Sequence, residues 1–261
     1  MNIRIVVAEH KSYWMPEDPI YLPLQVGAAL TDNHILNWTR DDQGENISEK
    51  NRTFCELTAL YWAWKNLDAN IIGLCHYRRY LGSSASLAFR LFTDKKKQFL
   101  NESQINMMLK DYDIILPKKR YYWIETRGSQ YAHAHHIKDL QITEQILREK
   151  YPSYLPAWNN MLLSRSGHIC NMFITRFDLF HEYCTWLFDI LLEAEKRLDI
   201  STYSENDRRV FGFLGERLLD VWIETNRLRY AETPIINLES QHWLRKGAMF
   251  VQRKLQGKKK A

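Results

Sequence analysis

Apolar positions along the chain fall into two patterns, short β-branched runs and longer stretches with helical spacing. Ile3 to Ala8 is the first such run. It predicts a buried strand whose carboxyl end presents Glu9, His10 and Lys11. Residues 12 to 48 are rich in Pro, Gly, Asp and Asn and predict mostly loop, most polar over Asp41 to Ser48. Ser48 can cap a helix running to about Asn66, where Phe54, Leu57, Leu60, Tyr61 and Trp64 recur at helical spacing. Further strands are expected at Ile71 to Cys75, Tyr112 to Leu116, Ile169 to Thr175 and Pro234 to Leu238. Helices are expected at Gln104 to Lys110, Asp139 to Lys150, Asp178 to Arg197 and Asp207 to Thr225, the last loosened by Gly212 and Gly215. Strands alternating with helices predict an α/β domain, its mixed, mostly parallel sheet covered by helices on both faces.

At 261 residues and 45% hydrophobic content, the chain suits one large core better than two. A single domain is expected over residues 1–245, with a basic tail over 246–261. Cys55, Cys75, Cys170 and Cys184 form no CxxC pair. They read as free thiols in a reducing compartment, with no disulfide framework and no zinc site. The first apolar run is too short for an export signal. No stretch approaches the roughly 20 apolar residues that span a bilayer, so a cytoplasmic protein is expected. The formal charge of +5 is unevenly placed, with basic clusters at Lys95 to Lys97, at Lys118 to Arg120 and at Arg253, Lys254 and Lys258 to Lys260. Such clusters suit peripheral contact with an anionic membrane, each nearby cation adding about 1 kcal/mol.

The most informative chemistry is the segment His76-Tyr77-Arg78-Arg79-Tyr80, delivered directly from a strand end. Guanidinium groups bind phosphate through paired hydrogen bonds and keep their charge, so Arg78 and Arg79 suit a diphosphate. His76 can supply a proton or a hydrogen bond to a leaving group. His10 and Lys11 add a second basic strand end, and Asp41, Asn46, Ser48 and Asn51 are placed to contact a ribose or a base. No phosphate-binding glycine loop and no nucleophile elbow occurs. Asp111 and Asp113 spell a DxD that precedes a strand instead of following one, which reads as turn chemistry. His133, His135 and His136 do not share a helix face, and only His135 and Asp139 stand at i, i+4. A carboxylate base is sought at Asp207 or Glu216, within a segment that also holds Glu205, Arg208 and Arg209.

The run from Asp41 to Asn66, then IIGLCHYRRYL, DIILP, CNMFI and GFLGERL, resembles a family long labelled as a domain of unknown function in bacterial capsule and O-antigen clusters. That resemblance covers about residues 3 to 225. It implies a GT-A-like, Rossmann-type glycosyltransferase using a UDP-sugar, with galactose in pyranose or furanose form, and a lipid-linked glycan acceptor. On this comparison the histidine and arginines of the HYRRY segment stand where an acidic metal motif would lie. They would neutralise the departing diphosphate with no metal required, Mn or Mg being the alternative. Asn171, Asp207 and Glu216 would then face the sugar, and Trp123, Tyr131, His135 and Asp139 the acceptor. A non-catalytic sugar-nucleotide or glycan-binding protein would use the same cleft. RNA binding is disfavoured, because 31 acidic residues nearly balance 36 basic ones.

Overall fold

The first β-branched run forms strand β1 (Ile3–Glu9), with Val6 and Ala8 facing one side of the sheet and Ile3, Ile5 and Val7 the other. This is the two-residue period of a strand buried on both faces. The computed structural model describes residues 2–83 and 93–239. Next come β2 (Tyr21–Gln25), β3 (Thr39–Arg40), helices α1 (Asn51–Phe54) and α2 (Leu57–Asn66), β4 (Ile71–His76) and β5 (Arg79–Leu81). Helix α3 (Glu102–Asp111) leads into β6 (Ile114–Pro117), and Arg120–Tyr121 forms the short β7. Helices α4 (Arg127–Ala134), α5 (Ile137–Lys150) and α6 (Leu155–Leu163) follow, then β8 (Ser166–Gly167), β9 (Phe173–Arg176) and α7 (Phe177–Arg197). Helix α8 (Val210–Thr225), β10 (Tyr230–Thr233) and β11 (Ile235–Asn237) complete the described part.

The main sheet has the order β10-β6-β9-β4-β1-β2-β3, with β5 paired to β4 and β11 to β5. β3, β2, β1 and β4 run parallel, as do β10 and β6, while β9 runs antiparallel between β4 and β6. β7 and β8 form a separate two-stranded ribbon. The expected α/β fold with a mixed, mostly parallel sheet is therefore observed. Its two faces are covered unequally: α1, α2 and α4 to α8 contribute to one hydrophobic core, and α3 with residues such as Trp14, Met15 and Phe99 covers the other. In α7 the buried positions Phe180, Tyr183, Cys184, Leu187, Ile190, Leu191 and Ala194 trace one stripe. Among the described residues no helix is long and apolar enough to cross a membrane.

Several elements differ from the sequence expectation. The helix expected from Ser48 to Asn66 is interrupted at Cys55, whose φ of 53° is left-handed. The strand expected from Ile169 begins only at Phe173, because Cys170 and Asn171 adopt φ of 73° and 50°. Gly212 and Gly215 sit inside a continuous α8, where they admit close neighbours. β2 lies within the stretch expected to be loop, and α4 and α6 were not foreseen. The basic tail over 246–261, with Arg253, Lys254 and Lys258 to Lys260, lies outside the described residues.

Gly73 lies where β4 passes between β1 and β9; a Cβ there would approach Ile174 Cγ1 to 2.7 Å and the Phe173 carbonyl oxygen to 2.9 Å. Gly73→Ala should therefore lower stability by about 1–3 kcal/mol through overpacking, measured by urea denaturation.

Candidate active site

Parallel strands place the site at their carboxyl edge. The order β3-β2-β1-β4 reverses direction between β1 and β4, and that reversal opens the crevice where ligands of open α/β sheets bind. A cleft of about 860 Å³ lies on the β2 side of that point, past the ends of β1 and β2, lined by His10, Lys11 and Ser12, by Val26 and Gly27, by Asn51 and Arg52, and by residues of the Leu30 to Trp38 loop. Gln25, at the end of β2, staples that loop: its Nε2 donates to the Asn33 carbonyl at 2.8 Å and its Oε1 accepts from the Ile35 N–H at 2.8 Å.

Beneath the cleft the buried Asp41 carboxylate accepts from the N–H groups of Gly27 at 2.9 Å and Ala28 at 3.0 Å, and from the Ser48 hydroxyl. Ser48 Oγ in turn accepts from the Ala29 N–H at 3.1 Å. Gly27 is left-handed, and a Cβ on it would meet Asn51 Oδ1 at 2.8 Å, so glycine is required there. Asp41 and Ser48 thus lie under the cleft floor instead of on its wall. Asn46 is spent within its own loop, donating to the Gly44 carbonyl and accepting from the Ser48 N–H. Of the donor-side residues named from the sequence, His10, Lys11 and Asn51 line the cleft.

The two basic strand ends converge on the ring of Tyr77. His10 meets it edge-on at 5.0 Å, the Arg78 guanidinium lies 4.5 Å from its centroid, and Lys11 Nζ lies at 6.0 Å. Burial, then the charges of Lys11 and Arg78, hold the His10 imidazole below its ordinary pKa. Arg78 also pairs with Glu239 at 2.8 Å. Next to His10, Glu9 is fully buried and neither carboxyl oxygen has a hydrogen-bond partner among the described residues. Burial pushes its pKa up to about 8, so it is protonated at neutral pH.

A second cluster surrounds the left-handed turn at Cys170 and Asn171. His76 Nε2 donates to the Cys170 carbonyl at 2.6 Å; a carbonyl only accepts, so Nε2 carries the proton. Arg79 Nη1 lies 3.2 Å from Cys170 Sγ. Glu216 Oε1 accepts from the Cys170 N–H at 2.7 Å, and its Oε2 accepts from Arg217 at 3.1 Å. The buried Asn171 amide donates to Glu56 Oε1 at 2.7 Å and to the Gly212 carbonyl at 3.1 Å, while its own Oδ1 has no partner among the described residues. Arg209 Nε reaches Cys55 Sγ at 3.2 Å. Burial, and next Glu56, push the Cys55 thiol up to about 11, and burial with Glu216 pushes Cys170 up to about 12. Both remain thiols and are poor nucleophiles.

His76, Arg79, Asn171 and Glu216, named from the sequence, are thus brought together. Arg209, noted in the same segment as Glu216, joins them, as do Glu56 and the two cysteines, which were not foreseen. Glu56 sits inside a run of helical periodicity, where a carboxylate reads as an ordinary solvated position. The remaining residues disperse. Asp207 accepts from His135 at 3.0 Å and from Ser204 Oγ at 2.7 Å, and those contacts hold its pKa below the usual range. Tyr131 and Asp139 are buried and bonded to each other at 2.8 Å, with Tyr203 the second donor to Asp139 at 2.7 Å. An acceptor glycan cannot touch either. Trp123 follows β7 and is exposed, with Tyr121 as its ring neighbour. Asp113 lies at the opposite end of β6 from the cleft, bonded to Arg176 and to the Arg229 N–H. The DxD is thus turn chemistry, and among the described residues no group of three His, Cys, Asp or Glu side chains could hold a metal.

The family model described as Domain of unknown function (DUF4422) matches residues 4–227. The chain belongs to this family. No curated protein matches it. A solved apo structure of WbbM, described as a bifunctional glycosyltransferase, is similar with a TM-score of 0.84 and 32% identity over 92% of this chain. The match covers 46% of the WbbM chain, so this chain spans less than half of that protein's length. The DUF4422 domain here accordingly has a glycosyltransferase fold, and the expected GT-A-like architecture holds.

Two outcomes follow from the buried carboxylates. Asp41→Ala leaves the N–H groups of Gly27 and Ala28 unpaired and should cost about 2 kcal/mol or more in thermal or urea unfolding. Glu9 has a folded pKa raised from 4.5 to about 8, so its contribution to stability is intact below the unfolded value and is lost as pH rises through that window. The melting temperature of Glu9→Gln should gain on wild type steadily across that window and level off above it.

Proposed function

We propose that the chain transfers a sugar from a UDP-sugar, with galactose in pyranose or furanose form as that sugar, to a lipid-linked glycan acceptor. The observation that carries this reading is the adjacency of two unlike clusters at one sheet edge. One is a cleft lined by His10 and Lys11, with Arg78 beside them at the Tyr77 ring; the other gathers Arg79, Glu56 and Glu216 around Cys170 and Asn171. A nucleotide fits the first, its base and ribose under the Leu30 to Trp38 loop and its diphosphate at the basic lip. The reacting sugar then lies toward the second. The resemblance to WbbM supports glycosyl transfer as the class of reaction.

The residues divide the work by their engagement. Arg79 stabilises negative charge as the nucleoside diphosphate departs, and His76, its Nε2 proton held by the Cys170 carbonyl, keeps Nδ1 for accepting. Glu216 has both oxygens committed, to the Cys170 N–H and to Arg217, and serves to fix the turn. Among the described residues Glu56 has only Oε1 engaged, by Asn171; Oε2 is the carboxylate oxygen placed to act on the acceptor hydroxyl or on the sugar. Asp207, doubly engaged and of lowered basicity, is the weaker base. In this reading basic side chains carry the diphosphate without a metal.

UDP release measured over a panel of UDP-sugars with lipid-linked acceptor, in EDTA and with manganese, tests the reading. Release for one donor that survives EDTA is expected; release only with manganese would end the metal-free part. UDP binding without turnover under every condition would leave a sugar-nucleotide-binding protein in place of an enzyme. Glu56→Gln and Arg79→Ala should each lower kcat by about a hundredfold or more with the fold intact, and Asp207→Asn by far less. Equal losses at Glu56 and Asp207 would return the base to Asp207.

A further inference from the structure

The β7–β8 ribbon stands apart from the main sheet and carries large apolar side chains into solvent. Trp123 is 84% exposed, Ile124 63% and Tyr121 61%. Tyr122 N–H donates to the Arg165 carbonyl at 2.7 Å, which extends the ladder of Arg120 with Gly167 and Tyr121 with Ser166. Leu163, at the end of α6, is itself 74% exposed, and Ser164 after it accepts from the Arg127 N–H at 2.8 Å. The rings of Tyr121 and Trp123 lie 6.0 Å apart and tilted by 30°. Tyr121 and Trp123, with Ile124 next in the chain, form one apolar ridge.

Cations flank the ridge. Lys118, Arg120 and Arg165 are exposed, and none of them has an ion-pair partner among the described residues. The nearby carboxylate, Glu125, faces His133 at 3.2 Å, and Lys119 turns away to the Tyr230 hydroxyl at 2.9 Å. The ribbon is also rigidly seated. Arg127 pairs with Asp220 and donates to the Glu216 carbonyl at 3.1 Å, and it lies so close under Gly167 that a Cβ there would collide with the guanidinium.

We propose that this ribbon docks the protein on an anionic lipid surface, the aromatic and aliphatic tips entering the headgroup layer and the three cations meeting the phosphates. Trp and Tyr favour that layer because one end of each ring is apolar and the other can be wetted. Ile124 and Leu163 offer nothing to sugar hydroxyls, and three exposed cations without an ion-pair partner among the described residues suit phosphate, so the chemistry fits lipid better than glycan. β6 runs parallel to β4 and β1, which puts the ribbon at the same edge as the cleft, and only His168 and Ile169 separate β8 from Cys170. Docking itself does not depend on the transfer reaction. Its consequence, that a lipid-linked acceptor meets the site without leaving the surface, rests on the function proposed above.

Flotation of the full chain with vesicles of phosphatidylglycerol in phosphatidylcholine, against phosphatidylcholine alone, reads the docking. Binding to the anionic vesicles is expected to fall at least about tenfold in Lys118→Glu/Arg120→Glu and in Trp123→Ser/Ile124→Ser, with unchanged thermal unfolding. Brominated lipid should quench tryptophan fluorescence in wild type and lose most of that effect in Trp123→Phe. Unchanged binding in both double variants would overturn the proposal and assign the attraction to another basic segment. So would absence of binding to anionic vesicles, or a Trp123 signal that responds to soluble oligosaccharide and not to vesicles. UDP release with a soluble acceptor, measured on Lys118→Glu/Arg120→Glu, should match wild type, which separates failure of docking from failure of the transfer reading.

Discussion

The left-handed turn at Cys170 and Asn171 is the constraint on which the candidate site depends. Two consecutive non-glycine residues with positive φ cost on the order of 1–3 kcal/mol each, and that conformation persists only because surrounding groups over-determine it. Glu216 holds the Cys170 N–H, His76 holds the Cys170 carbonyl, and the Asn171 amide is divided between Glu56 and the Gly212 carbonyl. Those partners come from α8, the end of β4 and the break between α1 and α2. The turn therefore fixes three elements to one point at the carboxyl edge of the sheet. The two glycines of α8 belong to the same constraint: a Cβ at Gly215 would lie 2.9 Å from Asn171 Oδ1, and one at Gly212 would lie 3.2 Å from Cys55 Cβ.

Around that turn the structure separates residues that bear on a ligand from residues that hold the bearing surface. Asp41 and Ser48 are built like a ligand site, a carboxylate and hydroxyl gathering backbone N–H groups, yet the groups they gather belong to the chain itself. Tyr131, Asp139 and Tyr203 form a similar closed set on the other side. Polar groups this deeply buried carry a large penalty if unpaired, so their partners are internal and a ligand cannot claim them. What stays open is the basic lip at Tyr77 and the second oxygen of Glu56.

These differences explain what could be read from the sequence. Strand and helix periods, strong in Ile3 to Ala8, Ile71 to Cys75 and Phe177 to Arg197, revealed the α/β architecture and the convergence of His10 with the HYRRY segment, because burial on a regular element writes its period into the residues. The breaks at Cys55 and at Cys170 and Asn171 left no such mark. A non-glycine residue driven to positive φ by tertiary contacts looks like any other position in its run. For the same reason Glu56 was hidden inside an apparent helix. Asp41, Tyr131 and Asp139 were read as contacts because polarity was visible and burial was not.

The burial of Glu9 bears on the electrostatics of the same edge. An ionised carboxylate one residue from His10 and two from Lys11 would cancel much of the positive potential that the lip offers a diphosphate, and it would give those side chains an internal partner to collapse on. Burial favours the neutral group by raising its pKa to about 8, and the same desolvation, with Lys11 and Arg78 nearby, lowers the pKa of His10. The fixed charges left at the lip are then Lys11 and Arg78, and Arg78 already shares its charge with Glu239. A diphosphate entering there would compete with Glu239 for Arg78, and it would do so without opposition from Glu9. The carboxyl at the end of β1 thus shapes the site by being silent, a role open only to an acid that the fold withholds from water.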